Sequence, residues 1–187
     1  MEGQTDNQQR KVNEIDLAWL AGLWDGEGSI GMRVQKYKAD GRTYFTPYAQ
    51  VVNTQQGTLE RVDSILTALH VGHHISWPKP HPWGNRPVGE YKPLWSVRIH
   101  GLRRVKSLLT WLTPYLTTKA EQARLVWEYT DSREMHEYKQ HWTYSDRELE
   151  IVNSFRLGSH SGKATKAISL ESLNDYTREV PAEGIKV

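Results

Sequence analysis

The sequence predicts an α+β fold in which an antiparallel sheet carries helices on one face, in the order helix, two strands, helix, two strands, helix. Three observations carry this. The apolar residues switch from helical spacing to strict alternation and back again, twice along the chain. Within each alternating pair of runs the connection consists of turn residues or a proline- and glycine-rich loop, with no helical period between, as antiparallel neighbours allow. The alternating runs are apolar on one side only, so the sheet has one face to bury and one to leave open.

At 187 residues and 37% hydrophobic content, the chain can bury a substantial core and reads as one domain. That domain spans residues 13–166, between a disordered leader at 1–12 and a weakly patterned tail at 167–187. The leader is polar and aperiodic, and includes Asn7-Gln8-Gln9-Arg10-Lys11. Lysine and arginine number 24 against 22 aspartates and glutamates, a net charge of +2, so the distribution of sign rather than its total must identify a partner. Cysteine is absent, which excludes disulfides and thiolate metal sites. There is no signal peptide and no run of about 18 apolar residues. The sequence reads as a soluble intracellular protein without membrane contact; an organelle, a bacterial cytoplasm and a phage-infected cytoplasm fit it equally.

The first helix begins at Asn13, whose side chain can cap it while Asp16 reaches back, and Leu17, Leu20, Leu23 and Trp24 form its apolar face. Ala18, Ala21, Gly22 and Asp25 form a second face, most of it nearly devoid of side chain. A glycine inside a helix costs about 1 kcal/mol relative to alanine, and close approach of a second helix is the simplest compensation at Gly22 and Gly26. Gly28 suits the left-handed residue that stops a helix, which leaves Glu27 at the tip. Two such helices side by side would bring two Glu27 carboxylates together, and like charges that close need a cation between them.

From Ser29 the period becomes alternating, with Ile30, Met32 and Val34 on the core side. Residues 38–42 supply a hairpin turn, and the strand from Tyr44 to Asn53 returns with Phe45, Ala49 and Val51 inside. A helix from Thr58 to His70 buries Leu59, Val62, Ile65, Leu66 and Leu69. Strands at His73 to Trp77 and Leu94 to His100 flank the loop from Pro78 to Pro93. Helices from Leu102 to Leu112, Thr118 to Asp131 and Ser145 to Leu157 close the core, the last opening with a Ser-x-x-Glu capping box. Pro114 ends one helix and Thr118 is placed to cap the next. Ser159 to Lys166 is a basic segment.

The open face of this sheet would carry Arg33, Gln35, Tyr37, Thr46, Tyr48, Gln50, His74, Ser76, Ser96, Arg98 and His100. Arginine and glutamine are the side chains that read guanine and adenine edges bidentately, and no carboxylate interrupts them, so the face is expected to form a saddle for double-stranded DNA. Lys36, Lys38 and Arg42 in the hairpin, with Lys79, Arg86 and Lys92 in the long loop, could hold phosphates. His70, His73 and His74 have spacings compatible with zinc, but no cysteine or acidic neighbour joins them, and a helix end followed by a strand accounts for them better.

The stretch Leu20-Ala21-Gly22-Leu23-Trp24-Asp25-Gly26-Glu27-Gly28 resembles the LAGLIDADG motif of the homing endonucleases; a chance match is on the order of one in 10^5 chains. The resemblance runs from about Asn13 to about Lys166. The chain has one such stretch, so the resemblance implies a homodimer with Ala18, Ala21, Gly22 and Asp25 at its axis. It further implies Mg²⁺, or another divalent cation, held by Glu27 and the Gly26 carbonyl. Asp25 is expected to bond across the helix pair rather than to bind metal. The segment Leu112 to Ala123 is similar to that of the homodimeric chloroplast-intron members, which makes Lys119 the catalytic-site lysine. The polar residue ending the second strand falls on Asn53, or on Thr54 or Gln55 under a one-residue shift. The arginine that follows in those enzymes has no counterpart at Gly57, with Arg61 a weak substitute.

The implied function is a site-specific homing endonuclease that makes a double-strand break in a long, partly palindromic target. Two alternatives use the same scaffold: an intron maturase, with RNA as partner, and a non-catalytic DNA-binding regulator.

Overall fold

The structure is a computed structural model that describes residues 11–36, 43–76, 93–135, 144–157 and 168–169. Five helices, α1 (Glu14–Glu27), α2 (Gln56–Ala68), α3 (Leu102–Leu112), α4 (Ala120–Met135) and α5 (Asp146–Leu157), accompany four strands among the described residues. The strands are β1 (Gly28–Lys36), β2 (Thr43–Asn53), β3 (His74–Ser76) and β4 (Trp95–His100), and a 3₁₀ turn at Thr113–Tyr115 joins α3 to α4. All pairings are antiparallel, in the order β1-β2-β4-β3. This is the α+β arrangement expected. Tyr37, Lys38 and Arg42 lie outside the described residues, as do Lys79, Arg86 and Lys92 and the segment from Ser159 to Lys166.

Helix α1 lies against β1 and β2, α2 against β2 and β4, and α3 against the same two strands. The core side of β2 alternates as its composition dictates: Phe45, Pro47, Ala49 and Val51 are buried and the residues between them are not. Pro47 sits where β4 ends, and its carbonyl accepts from Gly101 N at 3.2 Å. A residue without an amide hydrogen is tolerated there because no further strand residue needs a donor on that side.

Two features of α1 differ from the sequence reading. Its buried face is Leu17, Leu20, Ala21 and Trp24, with Leu23 only partly buried. At 3.6 residues per turn, Leu23 lies about 120° around the helix from Leu17, whereas Ala21 lies almost above it. Ala21 therefore belongs to the core of its own chain, while Ala18 and Gly22 remain exposed. Gly28, for its part, is extended (φ −80°, ψ 168°), not left-handed. A Cβ there would stand 2.5 Å from Trp24 Cδ1 and 2.8 Å from Trp24 Cα, so what the position needs is room for the Trp24 side chain and backbone.

The capping box of α5 forms as expected: Glu148 N donates to Ser145 Oγ at 3.2 Å and Ser145 N to Glu148 Oε2 at 2.9 Å. Asn13 caps α1 through Asp16 N at 2.9 Å. The Asp16 carboxylate pairs with Arg61 at 3.2 Å. Helix α2 closes with His70 at φ 55° and Val71 N donating back to Leu66 O at 2.9 Å, the left-handed stop that a single non-glycine residue can provide.

Candidate active site and nucleic-acid interface

Helix α1 passes into β1 without a connecting residue, so Glu27 ends the helix where Gly28 begins the strand. The pairing of Gly28 with Val51 draws the end of β2 alongside this junction. There Asn53 Nδ2 donates to Glu27 Oε2, and Asn53 Oδ1 accepts from Gln55 N at 2.7 Å, a local turn that fixes the amide's orientation. Of the candidates Asn53, Thr54 and Gln55, Asn53 is thus the one bonded to the Glu27 carboxylate. Glu27 is exposed, and the last turn of α1 carries no basic residue. A carboxylate at the negative end of a helix dipole suits a hard cation with oxygen ligands, and Glu27 with the neighbouring Gly26 carbonyl fits that description.

Asp25, two residues before Glu27, joins α1 to the start of α4. Its carboxylate accepts from Thr117 N at 2.7 Å, Thr117 Oγ1 at 2.8 Å and Lys119 N at 2.8 Å. Lys119 Nζ donates in return to the Asp25 carbonyl. Asp25 therefore bonds within its own chain, to the residues that lead into α4. The contact spans 92 residues, and nothing local in the sequence announces it. Thr117 is the partner that sequence reasoning missed. Burial pushes the Asp25 carboxyl up, but the amides of Thr117 and Lys119, the Thr117 hydroxyl and the Thr118 amide outweigh it and hold the group below its usual range.

A depressed carboxyl contributes stability that is present above its unfolded value and lost as pH falls through the folded one. Asp25→Ala is accordingly expected to destabilise the fold by about 1.5–3 kcal/mol near pH 7, the net size of a hydrogen bond to a charged group. Urea unfolding at a series of pH values checks this, since the difference from wild type should shrink in acid, once Asp25 is protonated.

Arg61 does not stand in for the missing arginine. Its guanidinium pairs with Asp16, which is 2% exposed, and lies over the Trp19 ring at 4.0 Å, so it ties α2 to α1. The histidines make no metal site either. His73 engages the Val71 carbonyl through Nδ1 and Asp63 through Nε2, each at 2.7 Å, and both ring nitrogens are thereby used.

The strand register assembles the open face in rows. One runs Ser29, Gln50, Arg98, His74; the next holds Gly31, Tyr48 and His100; Arg33 then pairs with Thr46 and Gln35 with Tyr44. Arg33, Gln35, Arg98 and His74 are exposed, and Tyr48, Gln50, Ser76 and His100 are partly so. Arg33 lies over the Tyr48 ring at 4.8 Å, and Thr46 Oγ1 donates to Gln35 Oε1 at 3.2 Å. Ser96 is the exception. Register places it on this face, but at 5% exposure between Val52 and Ser76 it offers no surface to a ligand. Among the described residues of the face there is no carboxylate.

No protein-family model and no curated protein matches the sequence. Solved structures do match. The chain is similar to the homing endonuclease I-CvuI, solved with the I-CreI target in the presence of Mg with the DNA not cleaved: TM-score 0.60, 20% identity, 87% of this chain and 92% of that one. It is similar to the archaeal intron-encoded homing endonuclease I-Vdi141I, complexed with DNA: TM-score 0.59, 14% identity, 88% and 98%. A third is the LAGLIDADG homing endonuclease I-GzeII, in complex with its DNA target: TM-score 0.56, 16% identity, 91% of this chain but 54% of that one. No helix among the described residues is long and apolar enough to cross a membrane. The chain has the fold of the LAGLIDADG homing endonucleases.

Proposed function

We propose that the protein is a site-specific, metal-dependent DNA endonuclease of the homing type, which acts as a homodimer on a long, partly palindromic duplex and breaks both strands. The observation that carries this reading is Glu27, an exposed carboxylate fastened by Asn53 at the tip of a helix whose neighbouring face, Ala18 and Gly22, is bare. One chain supplies half a site. The likeness to nearly all of I-CvuI but about half of I-GzeII accords with two copies doing what one longer chain does.

Each part of the site has a role. Asn53 keeps Glu27 oriented toward the dimer axis. Asp25, through Thr117 and the Lys119 amide, holds the start of α4 so that Lys119 stays beside the α1 tip, where its charge offsets that developing on the scissile phosphate. A divalent cation held by Glu27 and the Gly26 carbonyl would supply Lewis-acid activation of water and stabilisation of the leaving oxygen. On the sheet, Arg98, Arg33, Gln50 and Gln35 meet base edges in the major groove, while Lys36 and the hairpin and loop cations meet phosphates.

Duplex affinity as a function of salt tests the binding half of this reading. With six to ten phosphate contacts, affinity should fall by about three to five decades between roughly 50 and 200 mM salt, despite a net charge of only +2. A flat profile would contradict a phosphate-gripping saddle.

A further inference from the structure

His100, the last residue of β4, stands on a face that carries several basic side chains. Tyr48 of β2 is its register partner, Arg98 lies two residues away on the same strand face, and His74 of β3 pairs with Arg98. Arg33 of β1 contributes positive charge from the next row. At the end of β4, His100 also lines a cavity of about 650 Å³ with Phe45, Pro47, Tyr129 and the α3 residues Arg103 and Arg104. No carboxylate among the described residues of the open face balances these groups. Partial burial, then Arg33 and Arg98 with a contribution from His74, push the His100 imidazole below its ordinary value in the free protein.

A duplex laid on this surface reverses the sign of the surroundings, because it brings phosphates and base-edge acceptors to a face whose charged side chains are all basic. A protonated imidazole donates from both nitrogens, whereas a neutral one donates once and accepts once. Guanine offers two acceptors side by side in the major groove, O6 and N7. We propose that His100 engages DNA as a doubly protonated donor to acceptor-bearing base edges, so that duplex binding by this face takes up a proton at each protomer. The inference rests on the DNA-binding reading above and adds a residue, an ionic form and a measurable coupling to it.

The sign follows from linkage. A group that is more basic in the complex than in the free protein favours binding below its free-state value, and that advantage is lost as pH rises through its value in the complex. Affinity should therefore be highest in mild acid and fall across neutrality, by up to about tenfold per pH unit for each proton taken up.

The experiment is fluorescence anisotropy at constant ionic strength, from about pH 5.5 to about pH 8.5, around the ordinary histidine range. The probe is the labelled duplex pool recovered by repeated filter retention from a randomised library about 30 base pairs long, enough for two half-sites. Wild type is expected to bind at least about tenfold more tightly near pH 6 than near pH 8. His100→Gln should flatten the profile at the weaker level, and His100→Lys, with a fixed charge, should flatten it at the tighter one. A flat wild-type profile, or a slope that His100→Gln leaves intact, overturns the proposal. Failure to retain duplex at any pH would take down the DNA-binding reading itself, a result that flat but tight binding could not imitate.

Discussion

Glu27→Gln is expected to remove cleavage while leaving duplex affinity close to that of wild type. The amide is nearly isosteric and its oxygen can still accept from Asn53 Nδ2, so the contact that orients the side chain survives. What it cannot supply is the anionic oxygen that a hard divalent cation favours. Loss of several kcal/mol of transition-state stabilisation corresponds to a rate reduction on the order of 10^3-fold or more. Single-turnover cleavage in Mg²⁺, beside anisotropy in chelator, separates the two effects. Wild-type cleavage by this variant would remove Glu27 from the mechanism, and a parallel loss of binding would make it a structural residue.

Gly22→Leu should abolish dimerisation and cleavage together, and the structure makes this a clean test. Nothing lies within 4 Å of a Cβ built at Gly22, so the isolated chain has room for the larger residue. Leucine also favours a helix over glycine, by somewhat less than the roughly 0.8–1.0 kcal/mol that separates alanine from glycine, so the monomer should be no less stable. The steric penalty arises only when a second α1 approaches the face that carries Ala18 and Gly22. Sedimentation velocity is expected to show a wild-type dimer and a folded Gly22→Leu monomer that leaves DNA intact. A variant that remains dimeric and cuts would place the interface elsewhere.

What the sequence made legible follows from the range of the interactions involved. The capping box of Ser145 and Glu148 and the cap at Asn13 are contacts between residues three apart, and both form. Strand alternation placed Arg33, Gln50, Arg98 and His100 on one face, since a period of two leaves little freedom once the core side is known. The misreadings are contacts that local pattern cannot encode. Leu23 was assigned to the core by its side chain when angular position gave that place to Ala21. Gly28 looked like a left-handed stop because its real constraint, the Trp24 side chain and backbone, depends on how helix and strand meet. The partners of Asp25 within the chain, Thr117 and Lys119, are illegible locally because they are more than ninety positions away. Ser96 was placed on the correct face, but burial there depends on both neighbouring strands.

The most direct test of the central claim is incubation of the purified protein and Mg²⁺ with a randomised duplex library, followed by sequencing of the cut ends. Two one-turn sheets related by a two-fold axis predict breaks in both strands within a recurring, partly palindromic site of roughly 20 base pairs, and none when chelator replaces Mg²⁺. Salt-sensitive retention of duplex without cut ends, under conditions where the protein is dimeric, would contradict it and leave a DNA-binding protein built on a nuclease fold.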